Sequence, residues 1–118
     1  MPLLVVTGAS RGIGRAIAER GLERGLPVCA IARDREALAS LGAPDRVEVG
    51  VADVRDADAV RAAVDAAVVR FGPPTLVVAA AGLLGPIDRP WRLDPAALDE
   101  ALTVTITGTA NLAAATLP

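Results

Sequence analysis

Residues 7–14 read Thr7-Gly8-Ala9-Ser10-Arg11-Gly12-Ile13-Gly14, and what flanks this glycine-rich stretch limits the folds open to the chain. Before it lies the short apolar run Leu3-Leu4-Val5-Val6; after it, Ile13, Ile17, Ala18 and Leu22 fall on one helical face. These two periods predict a strand, a tight loop and a helix. Gly8 permits a sharp exit from the strand, Gly12 lets backbone approach an anion with no Cβ in the way, and Gly14 allows close packing of helix on sheet. The helix N-terminus then faces that anion with unsatisfied N–H groups. Glycines at 8, 12 and 14 meet the common G-x-G-x-x-G dinucleotide pattern only loosely. A plain βα turn, however, has no need of three glycines with small Ala9 and Ser10 between them.

The same alternation of periods runs along the rest of the chain. Gly25 and Pro27 end the first helix, and Val28-Cys29-Ala30-Ile31-Ala32 reads as a second strand, followed by a short helix over 34–41. A turn at Gly42-Ala43-Pro44-Asp45 leads to a third strand over 47–51, with Asp53 just beyond its end. From 56 to 71, Val60, Ala63, Val64, Ala67, Val68 and Phe71 repeat at helical spacing with Asp58, Arg61, Asp65 and Arg70 opposite. Gly72-Pro73-Pro74 stops that helix. The continuous apolar run over 76–80 reads as a fourth strand of the kind buried on both faces. After a Gly/Pro-interrupted loop over 82–90, Asp94 and Pro95 supply an N-cap and a first-turn proline for a helix to about Leu102, and a last helix is expected over about 104–116.

Strands joined by helices predict an α/β fold, with right-handed crossovers placing the four strands in one parallel, doubly wound sheet of order 3-2-1-4. Ligands bind such sheets at the carboxyl ends of the strands, beside the switch point between strands 1 and 4. The loops at 8–14, Arg33, Asp53 and 80–82 all open there. A chain of 118 residues makes one domain, and with 53% hydrophobic residues it can build a core.

The charges narrow the partners. All twelve cations are Arg, scattered among fourteen acids for a net charge of −2, which argues against a nucleic-acid partner. Lacking His, Tyr and Lys, the chain has none of three common acid–base side chains, and with one cysteine and no His it is not expected to hold a metal. Cys29 sits in an apolar run and reads as a small buried residue, which fits a reducing, cytoplasmic compartment. The first residues lack a basic segment followed by a long apolar core, so neither a secretion signal nor a membrane anchor is expected.

The pattern Thr7-Gly8-x-x-x-Gly12-x-Gly14, with Asp53-Val54 after strand 3 and Ala81-Gly82 after strand 4, resembles the short-chain dehydrogenase/reductase family from Leu3 to Pro118. The resemblance implies a Rossmann-like NAD(P)-binding domain, cut short at its C-terminal side. It also implies dinucleotide contacts from Gly8, Ser10, Arg11, Gly12, Ile13, Gly14, Arg33, Asp53, Val54, Ala80, Ala81 and Gly82. In that family the glycine loop holds the pyrophosphate, and the aspartate matching Asp53 bonds the adenine amino group. Asp53 also suits a helix-capping role for 56–71, and the two roles are compatible.

NADP(H) is expected over NAD(H). An NAD site places an acid at the end of strand 2 for the ribose hydroxyl, whereas a 2′-phosphate needs a guanidinium. Here Ala32 stands where NAD-type members carry Asp, with Arg33 next to it and Arg11 in the glycine loop. Two arginines can clamp one phosphate. Asp34 could instead pair with Arg33 or Arg35, and Arg33 could serve in a surface salt bridge.

The family's Asn-Asn-Ala-Gly turn is Ala79-Ala80-Ala81-Gly82 here, and Thr105 takes the position of the family's catalytic Asn in Val104-Thr105-Ile106-Thr107-Gly108. Threonine can bond a water but cannot copy a carboxamide. The family's Ser and Tyr-x-x-x-Lys would fall beyond Pro118, so the chain alone is expected to be inert in hydride transfer between the nicotinamide and a small carbonyl or alcohol substrate. The alternative is a non-catalytic nucleotide-binding or interaction module. Strand 4 is expected to leave an apolar edge, and association into a homo-oligomer through the last helix is expected by resemblance. Leu83, Leu84, Ile87 and Trp91 could line a substrate entrance or simply pack.

Overall fold

The computed structural model describes residues 2–117, so the terminal residues of the expected 1–118 domain lie outside it. Four parallel strands, β1 (Leu3–Thr7), β2 (Val28–Ala32), β3 (Val47–Val51) and β4 (Pro74–Ala79), form one sheet in the order β3-β2-β1-β4. The expected doubly wound order is therefore present. Helices α1 (Gly12–Glu23), α2 (Arg35–Ala39), α3 (Ala57–Phe71), α4 (Pro95–Leu102) and α5 (Gly108–Thr116) flank it.

The period of two in β1 decides which helix covers which face. Leu3 and Val5 point with Cys29 and Ile31 towards Val60, Val64 and Ala67 of α3 and Leu112 of α5. Leu4 and Val6 point the other way with Val28 and Ala30, towards Ala18 of α1 and Leu38 of α2. Each face of the inner strands is thus sealed by a helical stripe, which is what their unbroken apolar sequences require. Cys29 is fully buried, its Sγ 3.6 Å from the Ala63 carbonyl, and burial with the nearby Glu48 charge pushes its thiol up to about 12.

Four expectations are corrected by the structure. Ile13 does not share the buried face of α1: it is 78% exposed, and the helix packs through Gly14, Ala18 and Gly21. At the second position of the helix it lines the cleft at the carboxyl ends of the strands. β4 is not buried on both faces, because it ends the sheet order and pairs only with β1, as the expected apolar edge; Leu76 is 51% and Val77 39% exposed. Asp53 does not cap α3, since Asp56 accepts the Ala59 N–H at 3.1 Å in that role. The helices over 95–116 are not separate either: Thr103–Thr107 forms a π-helical turn that joins α4 to α5, with α-helical backbone angles at both junctions. No Pro interrupts this stretch, and a π turn lets the rod continue while shifting its face.

Candidate functional site

A cleft of about 610 Å³ opens at the carboxyl ends of the strands. The carboxyl end of each strand contributes: Gly8 and 10–14 after β1, 32–34 at the end of β2, 52–54 after β3 and 80–83 after β4. All twelve residues expected to contact a dinucleotide line this one cleft. Ala52, Leu83 and Val104 line it as well. Ala52 could have been read from its place beside Asp53, whereas Val104 comes from the π turn and carries no local signal.

The loop after β1 is shaped by close backbone contacts. Gly8 has a φ of 65°, and a Cβ there would meet the Ala81 nitrogen at 2.7 Å. A Cβ on Gly14 would collide with the Gly8 carbonyl. Gly12 is different, for nothing lies within 4 Å of its missing Cβ and its φ of 62° is what demands glycine. The open space above Gly12 is a cradle, and α1 points its N-terminus into it. Arg11 precedes the helix in extended conformation with no side-chain cap, and the first turn carries no acid. Its N–H groups are thus left for a ligand, and the helix dipole favours an anionic one. Buried Thr7 fixes the facing loop, its Oγ1 accepting the Ala81 N–H at 3.4 Å.

Two guanidiniums at the rim are uncommitted. The ion pairs among the described residues are Arg15–Glu19, Arg20–Glu23, Arg55–Asp53 and Arg70–Glu48, so neither Arg11 nor Arg33 is engaged in one. Asp34 pairs with neither Arg33 nor Arg35, because its Oδ1 accepts the Ala37 N–H at 3.1 Å and caps α2. Arg33 forms no salt bridge among the described residues, although its charge helps to hold the Asp53 carboxyl down.

Asp53 is held by Arg55, a residue that was not singled out from the sequence. The Arg55 side chain donates to both carboxylate oxygens, the shortest bond being 2.6 Å, and its backbone N–H donates to Oδ1 at 3.0 Å. The Arg55 side-chain bond, followed by the backbone bond, lowers the Asp53 carboxyl to about 2. The Asp-x-Arg spacing was a legible signal, since Asp readily accepts the N–H two residues on. From α5, Asn111 donates to the Val54 carbonyl at 2.8 Å, and Gly108 packs against the Val54 side chain. The base of the loop is tied down from two sides.

Thr105 lies at the cleft edge rather than in its lining; its Oγ1 would stand 3.6 Å from a Cβ on Gly82. Leu83 lines the cleft, but Leu84, Ile87 and Trp91 are exposed and neither line it nor pack in the core. Among the described residues no group of His, Cys, Asp or Glu is arranged to hold a metal, and no helix is long and apolar enough to cross a membrane.

The family model for short chain dehydrogenases matches residues 2–118. A 3-dehydrosphinganine reductase of Arabidopsis thaliana, TSC10B, is 33% identical over 120 residues, covering 96% of this chain and 34% of the relative. The crystal structure of the KRED1-Pglu enzyme superposes with a TM-score of 0.94 at 34% identity, covering 100% of this chain and 51% of that one. An actinorhodin polyketide ketoreductase variant crystallised with NADPH gives a TM-score of 0.89 at 29% identity over 98% of this chain and 46% of the other. The chain thus spans between a third and about half of the length of these relatives.

Proposed function

The chain belongs to the short-chain dehydrogenase family, whose members act on small carbonyl or alcohol substrates with a nicotinamide cofactor, and on that premise we propose that its cleft binds NADP(H). The observation that carries this reading is the pairing of the open Gly12 cradle with the uncommitted Arg11 and Arg33 at one rim. In it, N–H groups of the first turn of α1 bind the pyrophosphate, Arg11 and Arg33 bind the 2′-phosphate, and Asp53 accepts from the adenine amino group. Ala80, Ala81 and Gly82 wall the side towards the nicotinamide. The NADPH bound by the polyketide ketoreductase supports the cofactor type. When bound, the cofactor supplies the hydride. This chain's residues bind and orient it, and among them there is no Tyr, Lys or His to transfer a proton.

A second reading, a nucleotide-binding or interaction module without catalysis, is favoured by Thr105 in the place of the family's Asn and by Ala79-Ala80 in the place of its two amides. Buried, unpaired Cys29 supports a reducing, cytoplasmic setting. Self-association is proposed through the rod over 95–116, where Leu98, Leu102 and Ile106 are exposed at one-turn spacing.

The test is a titration of the full chain with NADPH and NADH, followed by reduced-nicotinamide emission. NADPH is expected to bind more tightly, with Arg33→Ala erasing the difference. Equal affinities in the wild type would overturn the NADP assignment.

A further inference from the structure

The cleft is charged on one side only. Its ionisable lining residues, Arg11, Arg33, Asp34 and Asp53, follow β1, β2 and β3, whereas the lining that follows β4, residues 80–83, is uncharged, and no Asp, Glu or Arg occurs from 71 to 87. Because β4 ends the sheet order, this uncharged wall stands across the cleft from Arg33 and Asp53. Val104 joins it from the π turn, next to Thr105, whose Oγ1 would stand 3.6 Å from a Cβ on Gly82. Polar groups of the wall are satisfied within the chain: the Ala81 N–H donates to Thr7 Oγ1 at 3.4 Å, and the Thr105 carbonyl accepts the Thr109 hydroxyl at 2.6 Å. What remains is half-buried Leu83 and Val104 with one side-chain hydroxyl, that of Thr105, at the edge. Resting on the reading that the cleft takes a nicotinamide dinucleotide, we propose that the substrate standing against this wall is a ketone or secondary alcohol with one oxygen and an otherwise apolar body, rather than a polyol or sugar.

The selection follows from what the wall can and cannot offer. One hydroxyl serves one substrate oxygen. Every further hydroxyl placed against Leu83 or Val104 gives up water for a surface with no partner, and that loss is not recovered by contact. A methylene in the same place leaves water at a gain. Positions 79 and 80, where the family carries amides, are alanines and supply no replacement donor or acceptor. Past Leu83 the same loop continues with exposed Leu84 and Ile87, so the surface running outward from the wall is apolar too.

The experiment is an amide-resolved magnetic resonance titration of the full chain, in the presence of excess NADP+, with 2-butanone, 2-pentanone, 2-hexanone and L-erythrulose. The last has the carbon skeleton and carbonyl position of 2-butanone, with hydroxyls on the other carbons. The three alkanones should shift the amides of 82–84 and 104–105, with affinity rising about threefold to fourfold per added methylene. L-Erythrulose should bind there at least about tenfold more weakly than 2-butanone. Val104→Ser should flatten the series and Val104→Leu should keep it; Leu83→Ser takes the place of Val104→Ser should that variant not fold. Equal affinities for 2-butanone and L-erythrulose, a series that is flat in the wild type or as steep in the serine variant, or shifts centred on the β4 edge around Leu76 would each overturn the proposal. The cofactor reading has its own readout in the same spectra. If NADP+ leaves the amides of 8–14 unmoved, that reading fails and takes this one with it, whereas a shifted glycine loop with any of the contrary ketone results sinks this one alone.

Discussion

Gly14 lies against Gly8 so closely that a Cβ built on it would stand 2.7 Å from the Gly8 carbonyl carbon. The start of α1 and the end of β1 are therefore in backbone contact, and the loop between them can only bow outward, over the cleft. Both partners are backbone, so neither can yield by a rotamer change. Gly14→Ala should destabilise the fold by about 3 kcal/mol, the upper range for overpacking a rigid contact. Urea unfolding checks this. Gly12→Ala, which meets open space but a positive φ, should cost less, about 1–2 kcal/mol, while still crowding the anion cradle.

Ala32 ends β2 beside Arg33 and lines the cleft. Ala32→Asp places a carboxylate where a ribose hydroxyl would be accepted and a phosphate repelled. The preference for NADPH over NADH should reverse, with NADPH affinity falling by about tenfold or more. Paired titrations of wild type and variant read the reversal directly. Unchanged relative affinities would mean that the ribose does not lie at the end of β2.

The Asp53 carboxyl sits at about 2 against its ordinary 3.8, chiefly through the Arg55 side-chain hydrogen bond. A carboxyl whose folded pKa is depressed adds stability that is full above its unfolded pKa and is lost as pH falls through the folded value. The wild type should lose this contribution between about pH 4 and pH 2. Arg55→Met removes its main source, so the gap between the two unfolding midpoints should be widest above about pH 5 and should close towards pH 2. The gap is expected to be small, because the pair is partly exposed. A gap constant with pH would show that Arg55 acts on stability other than through Asp53.

Leu98, Leu102 and Ile106 leave apolar surface along the rod over 95–116, with Ile106 64% exposed. If this surface is a self-association face, Ile106→Glu should move the sedimentation profile towards the monomer without altering the far-ultraviolet spectrum. An unaltered profile places the contact elsewhere, and the exposed β4 edge is then the next surface to block.

The sequence carried the strand order because short apolar runs alternated with helical periods, and right-handed crossovers leave few ways to arrange them. The cleft was legible for the same reason: the loops after all four strands open at one end of a parallel sheet. What failed depended on neighbours in space. Ile13 has helical spacing to Ile17, but nothing local says that it stands exposed at the cleft. Asp53 and Asp56 are both acids ahead of one helix, and which of them caps it is decided by where the chain turns. The four apolar residues 76–79 look the same in an inner strand and at an edge, and only the number of pairing partners separates the cases. The π turn has no composition of its own; it ends at Gly108, which packs against Val54.

The central claim is that the dinucleotide lies at the carboxyl ends of the strands, along the glycine loop. The most direct measurement is an amide-resolved magnetic resonance titration of the full chain with NADP+. The account predicts that the largest shifts fall on 8–14, Arg33, 52–54 and 80–83, which together form one continuous patch, while the opposite end of the sheet around Pro27, Arg46 and Phe71 stays still. Shifts confined to that opposite end, or spread evenly with no focus on the glycine loop, would contradict it.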